Sequence, residues 1–164
     1  MNPIFNIQFW QTRLENARKL NRLSDSVGCG FNFSIIDEIH KKIISENIKI
    51  IDSILDIGCG YGRAKDFFAD RSYIGIDFVP EFIDIAKKKY PDCNFLLADI
   101  HILPFDDLQF DFGVCISMKG MIVRESGQKE WDIIQQELKR VCNKLLILEW
   151  GNNNIEDIKK FEII

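Results

Sequence analysis

Residues 54 to 64 read ILDIGCGYGRA, with Gly58, Gly60 and Gly62 at alternate positions directly behind a short apolar run that contains Asp56. Glycines at such a place let the backbone turn sharply, often at positive φ, and let a ligand approach with no Cβ in the way. A dinucleotide fingerprint runs G-x-G-x-x-G; here the spacing is G-x-G-x-G and Arg63 stands where the third glycine would fall, which disfavours a pyrophosphate cradle. Asp77 closes the next apolar run, 19 residues after Gly58, where a carboxylate can accept hydrogen bonds from both hydroxyls of a ribose. Asp99, in LLADIHILPF, closes a third run and can accept the exocyclic N–H of an adenine, with Ile100 and Phe78 available to cover the ring. The ligand implied is an adenosine without a pyrophosphate. Each acid also has a plainer reading: Asp56 as a turn cap, Asp77 as a helix N-cap ahead of Pro80, Asp99 as a turn residue. Cys59 reads as a small spacer rather than a nucleophile.

The elements that must hold these residues follow from periodicity. From residue 51 onward, IDSILDI, YIGID, CNFLL, FDFGVCI and KLLILEW have strand length and little alternation, as in strands buried on both faces. Between them, YGRAKDFFAD, PEFIDIAKKKY and SGQKEWDIIQQELKRVC carry helical spacing, the last with Trp131, Ile134, Leu138 and Val141 on one stripe. Pro80 suits a first helical turn and Pro91 a stop; Lys87, Lys88 and Lys89 suit a last turn and a solvated face. The alternation predicts an α/β fold, a doubly wound, mostly parallel sheet of five or six strands with helices on both faces. Ahead of it, residues 6 to 20 and FNFSIIDEIHKKIISENIK predict two helices, the second starting at a Ser34–Asp37 pair with Ile35, Ile39 and Ile43 at spacing four. RLSDSVGCGF between them reads as a loop or cover.

At 164 residues the chain has the length of a single domain, divided as 1–50 N-terminal helices and cover, 51–151 core and 152–164 a short C-terminal helix. No apolar run approaches the length of a membrane span, and the N-terminal residues lack a signal-peptide pattern, so a cytoplasmic protein is expected. Five cysteines, widely spaced and odd in number, argue for reduced thiols, and with His40 and His101 the only histidines no metal-ligand spacing exists. The net charge of −4 disfavours nucleic acid as a partner.

Taken in order, ILDIGCGYGRA, YIGIDFVPEFIDIAKKKY, FLLADIHILPF, FDFGVCISM and ELKRVCNKLLILEWG resemble the successive motifs of the Rossmann-like (class I) S-adenosylmethionine-dependent methyltransferases, over residues 51 to 151. The resemblance implies S-adenosylmethionine as cofactor and S-adenosylhomocysteine as product. It implies that Asp56 steadies the glycine loop near the amino-acid part of the cofactor and that Gly58, Cys59 and Gly60 border its methionine moiety. By the same resemblance Gly62 permits close helix packing, Asp77 holds the ribose, Phe78, Asp99 and Ile100 flank the adenine, and Ser117 lies beside the methionine portion.

A sulfonium methyl is already activated, so transfer needs alignment and exclusion of water more than a dedicated catalytic group. After the fourth strand the chain reads ISMKGM, without the N-P-P-Y or D-P-P-Y sequence of amino-group methylases, and the expected acceptor is a small molecule. Glu149 and Trp150 are candidates to face it; Trp10 and Arg13, in the N-terminal cover, are left open, and His101 reads as a loop residue. Family members generally add a sixth and a reversed seventh strand, whereas only 14 residues follow Trp150. A truncated C-terminal end with an exposed sheet edge is therefore expected, open to a homodimer or partner subunit. The alternative function is a catalytically silent cofactor-binding subunit that stabilises or regulates a partner.

Overall fold

Short apolar runs separated by amphipathic stretches bury best as one sheet layered between helices, and the computed structural model of the chain has that architecture. It describes residues 6–19, 33–149 and 160–164. In chain order the elements are α1 (Ile7–Lys19), α2 (Phe33–Asn47), β1 (Ile54–Ile57), β2 (Tyr73–Asp77), α3 (Pro80–Lys89), β3 (Asn94–Leu97), β4 (Phe110–Ile116), α4 (Lys119–Ser126), α5 (Gln128–Val141), β5 (Cys142–Leu148) and β6 (Phe161–Ile163). The strands form one sheet in the order β3-β2-β1-β4-β5-β6, parallel except for β6, which runs against β5. The sheet is thus six-stranded and doubly wound.

The strand order reverses between β1 and β4. The chain steps outward from β1 through β2 to β3, then returns to the other side of β1, so the connections leaving the carboxyl ends of β1 and β4 run to opposite sides of the sheet order. Alternate strand residues feed two cores. Leu55, Ile57 and Cys115 pack with Trp131, Ile134, Leu138 and Val141 of α5 on one face. Ile54, Val114, Leu146 and Leu148 pack with Ile43 and Ile44 of α2, and with Ile48 just beyond it, on the other. Arg71 donates to the carbonyls of Ile48 and Lys49, fixing the C-terminal end of α2. A third cluster joins Leu14 and Ala17 of α1 to Tyr61, Val79 and Phe82, laying α1 beside the glycine loop and the start of α3.

Several expectations are corrected. YGRAKDFFAD forms only a 3-10 turn at Lys65–Phe67, because positive φ at Gly62 and Ala69 leaves too few residues between them to nucleate an α-helix. α4 was not foreseen. Ile35 is 54% exposed while Ile36 is buried, so the apolar face of α2 is rotated from the expected stripe. α2 begins at Phe33, which puts Ser34 inside the helix, and the Asp37 carboxylate pairs with Arg63 instead of capping. Over residues 161–163 the expected helix is a strand, and residues 160 and 164 are not helical; residues 152–159, the loop at 22–31, Cys29 and Trp150 lie outside the described residues. No helix among the described residues is long and apolar enough to cross a membrane.

Candidate functional site

The candidate site begins where β1 ends. Gly58, Gly60 and Gly62 all have positive φ, +69°, +55° and +75°. The loop is stitched to β2: the Cys59 N–H donates to the Ile76 carbonyl at 2.8 Å and the Gly60 N–H to Asp77 Oδ2 at 2.9 Å. A Cβ on Gly60 would meet nothing within 4 Å, so open space stands over the backbone there. At Gly58 a Cβ would lie 2.3 Å from Met118 Sδ, which brings the loop after β4 directly against the loop after β1. At Gly62 it would lie 3.2 Å from the Phe95 ring, so this glycine serves packing. Cys59 is buried and burial pushes its thiol far up, which leaves it unreactive.

Two carboxylates lie beneath the loop. Asp56 is 2% exposed and accepts the Tyr73 hydroxyl at 2.8 Å; burial pushes it up to about 7, against the hydrogen bond from Tyr73. Asp77 is buried too and is pushed up to about 6 by desolvation, opposed by the N–H groups of Val79, Gly60 and Phe78. Its Oδ1 accepts the Val79 N–H at 2.9 Å, at the residue that caps α3. The structure therefore brings Asp77 to the glycine loop and lets it hold the residue before α3, but the N-cap is Val79, with no side-chain cap, so the reading of Asp77 as the helix N-cap is corrected. Each oxygen keeps a second lone pair for another donor.

The remaining candidates surround this centre. Phe78 packs half-buried against the α1–α3 cluster and Ile100 against the α5 core. Asp99 follows β3, joined to the site through the Ala98 N–H on the Asp77 carbonyl at 3.0 Å; it does not touch the glycine loop. Its side chain is 64% exposed. Ser117 ends β4 at φ +62°, its N–H donating to the Leu148 carbonyl at 2.7 Å, while its buried Oγ has no hydrogen-bond partner among the described residues. Glu149 accepts the Gly120 N–H at 3.0 Å and so serves the first turn of α4. Arg13 lies over the rings of Phe9 and Trp10, at 5.5 and 5.8 Å.

Four features escape a reading of the sequence. Arg63, next to the last glycine, is ion-paired with Asp37, tying α2 to the loop. His40, one turn further along α2, is fully buried; desolvation, then the charge of Arg63, lower it to about 4, against the backbone of Glu149. Met118 fills the space that Gly58 leaves. His101 bridges Asp99 and Glu130. The one signal available beforehand was the i, i+3 spacing of Asp37 and His40, which puts both on one helical face.

A reversal point, a glycine turn with open space above it and a carboxylate beneath define a nucleotide-binding α/β domain. Residues 54–144 match the family described as the methyltransferase domain, more than half of the chain, and the chain belongs to that family, the S-adenosylmethionine-dependent methyltransferases. S-adenosylmethionine is its cofactor. The chain is 27% identical over 101 residues to the demethylmenaquinone methyltransferase of Renibacterium salmoninarum, covering 60% of this chain and 41% of that protein. It is 32% identical over 88 residues to the 18S rRNA (guanine-N(7))-methyltransferase of Bos taurus, covering 52% of this chain and 31% of that one. A SAM-dependent methyltransferase from Aquifex aeolicus shares the fold, with a TM-score of 0.62 and 19% identity, over 84% of this chain and 74% of that chain. The chain thus spans less than half the length of these curated relatives.

Proposed function

We propose that the chain binds S-adenosylmethionine across the carboxyl ends of β1, β2 and β4 and transfers its methyl group to a small-molecule acceptor. The observation that carries this reading is the cradle at Gly60: backbone at positive φ, open space where a Cβ would stand, and an N–H held in place by Asp77. The residues fit the cofactor. Gly58, Cys59 and Gly60 border its methionine moiety, and the partnerless Ser117 hydroxyl supplies a donor at the adjoining strand end. Asp56 steadies the loop from below, and Gly62 lets the loop pack on Phe95. Asp77 accepts the ribose hydroxyls through the lone pairs its N–H donors leave, while Phe78, Ile100 and Asp99 flank the adenine.

When bound, the cofactor supplies a methyl group on a positively charged sulfur, so the chain's work is to orient the acceptor and keep water out. The net charge of −4 supports a small molecule over a nucleic acid. Titration calorimetry with S-adenosylhomocysteine, with NADH as control, tests the binding reading: heat with the first and none with the second is expected, and the reverse overturns it. Methyl release from labelled S-adenosylmethionine across a panel of small acceptors then separates an enzyme from a silent binding subunit.

A further inference from the structure

The loop after β3 places an imidazole between two carboxylates. Asp99 Oδ1 accepts the His101 backbone N–H at 2.9 Å and lies 2.6 Å from ring Nδ1. The other ring nitrogen, Nε2, lies 2.8 Å from Glu130 Oε1, in the first turn of α5. Asp99 Oδ2 takes no donor among the described residues, which leaves that oxygen for a ligand. The exposure of the three side chains falls from 64% at Asp99 to 33% at His101 and 32% at Glu130, so the ring is sheltered while the outer acid reaches solvent.

We propose that His101 is the positioning residue for Asp99, and that its doubly hydrogen-bonded cationic form is the one competent for the adenosyl ligand, so that ligand binding takes up a proton and senses Glu130 on α5. This rests on the reading that the adenine lies against Asp99. Neutral imidazole has one N–H and one lone pair and can satisfy only one of two facing carboxylates; imidazolium donates to both. When the neutral ring keeps its one N–H on the Glu130 side, a single backbone N–H holds a largely exposed carboxylate whose free oxygen must meet the adenine amino group.

The charges around the loop agree with this. Burial works against the charged ring, but the hydrogen bonds to Asp99 and Glu130 outweigh it and raise His101 above 6.5. For Asp99, burial likewise favours the neutral acid, and the two hydrogen bonds from His101 outweigh it and lower its pKa. Further along α5, Glu137 accepts the Leu103 N–H at 2.7 Å, and Arg140 reaches the carbonyls of Leu103 and Phe105 as well as Asp107. Those charges anchor the rest of the loop; Asp99 and Glu130 are the ones bonded to the ring. The sign follows: the bridge is complete below 6.5 and is lost as pH rises through the raised value.

The test is titration calorimetry of S-adenosylhomocysteine on the full chain between about pH 6 and about pH 8.5, in two buffers of different ionisation enthalpy. Expected is a roughly tenfold weakening toward alkaline pH, the equivalent of one charge-assisted hydrogen bond, with proton uptake on binding. His101→Gln keeps an N–H donor but cannot titrate, and should lose the alkaline weakening, keeping only the tightening with rising pH that ionisation of Asp77 and Asp56 brings; Glu130→Gln should move the fall in affinity to lower pH. A residue that merely shapes the turn would weaken binding equally at every pH. Tight binding that is pH-independent in the parent, or an alkaline weakening that survives in His101→Gln, overturns the linkage alone. A parent chain that binds no S-adenosylhomocysteine at any pH overturns the functional reading, and the linkage with it.

Discussion

The carboxylate of Asp77 accepts the N–H of Gly60 at 2.9 Å and, through its other oxygen, that of Val79 at the same distance. One side chain at the end of β2 thereby fixes both the turn after β1 and the start of α3. Asp77→Ala leaves two N–H groups without their acceptor and should lower stability by roughly 2 kcal/mol or more in urea unfolding. It should also abolish measurable S-adenosylhomocysteine binding. Asp77→Asn retains one acceptor oxygen and is expected between the parent and Asp77→Ala in both measurements.

Gly60 and Gly62 separate ligand room from packing room. Gly60→Ala introduces a Cβ into open space at the cost of positive φ alone, about 1 kcal/mol. Its melting temperature should fall only slightly while ligand affinity drops by more than tenfold, about 1.4 kcal/mol. Gly62→Ala pushes against Phe95 and Tyr90 and should cost more in stability than in affinity once the variant is folded. Equal losses of both kinds in the two variants would remove the case for a cradle at Gly60.

The parts of the fold that announce themselves in the sequence are those whose burial is one-sided or total. β2 and β4 coincide with YIGID and FDFGVCI because every neighbour of those runs changes character at once. The stripe of Trp131, Ile134, Leu138 and Val141 on α5 is equally plain, each residue 1% exposed or less. β6 carries no such mark: Phe161, Glu162 and Ile163 are all exposed on an edge strand, and only pairing with β5 makes them a strand. α4, with Gly120 and the branched Ile122 and Val123, has weak helical propensity and is held by tertiary contacts. α2 is rich enough in isoleucine to fit more than one stripe, which is why Ile35 is misassigned and His40 passes unnoticed. The glycine loop and its acids stand out in the sequence because their chemistry requires particular residue types. The pairings that complete the site, such as Arg63 with Asp37, join residues far apart in the chain.

Ser117 combines a left-handed backbone, φ +62°, with a buried hydroxyl that no described residue bonds. Ser117→Gly should raise stability by about 1 kcal/mol through relief of the backbone alone, and Ser117→Ala should not lower it, since no hydrogen bond to a described residue is removed. Both should weaken S-adenosylhomocysteine binding relative to adenosine binding, because the proposed site puts the hydroxyl beside the methionine portion. Calorimetry with the two ligands makes the comparison; unchanged ratios would place Ser117 outside the ligand contacts.

Asp56 and His40 give opposite pH dependences that mask each other. Asp56, raised by burial to about 7, keeps its proton in the folded chain while the unfolded chain has lost it, so stability falls as pH rises from 3.8 toward 7, by of order 4 kcal/mol. His40, lowered by burial from 6.5 to about 4, stays neutral when the unfolded chain is charged, so stability rises over nearly the same window, by about 3 kcal/mol. Asp77, raised by burial to about 6, adds to the Asp56 slope, so the parent should on balance lose stability as pH rises between about pH 4 and about pH 7. Asp56→Asn, which still accepts the Tyr73 hydroxyl, should flatten the profile, because the Asp77 and His40 slopes then oppose each other. His40→Met should steepen the loss of stability toward neutral pH. Urea unfolding of the three proteins across this range reads both slopes, and parallel profiles would mean that neither side chain is buried as the structure has it.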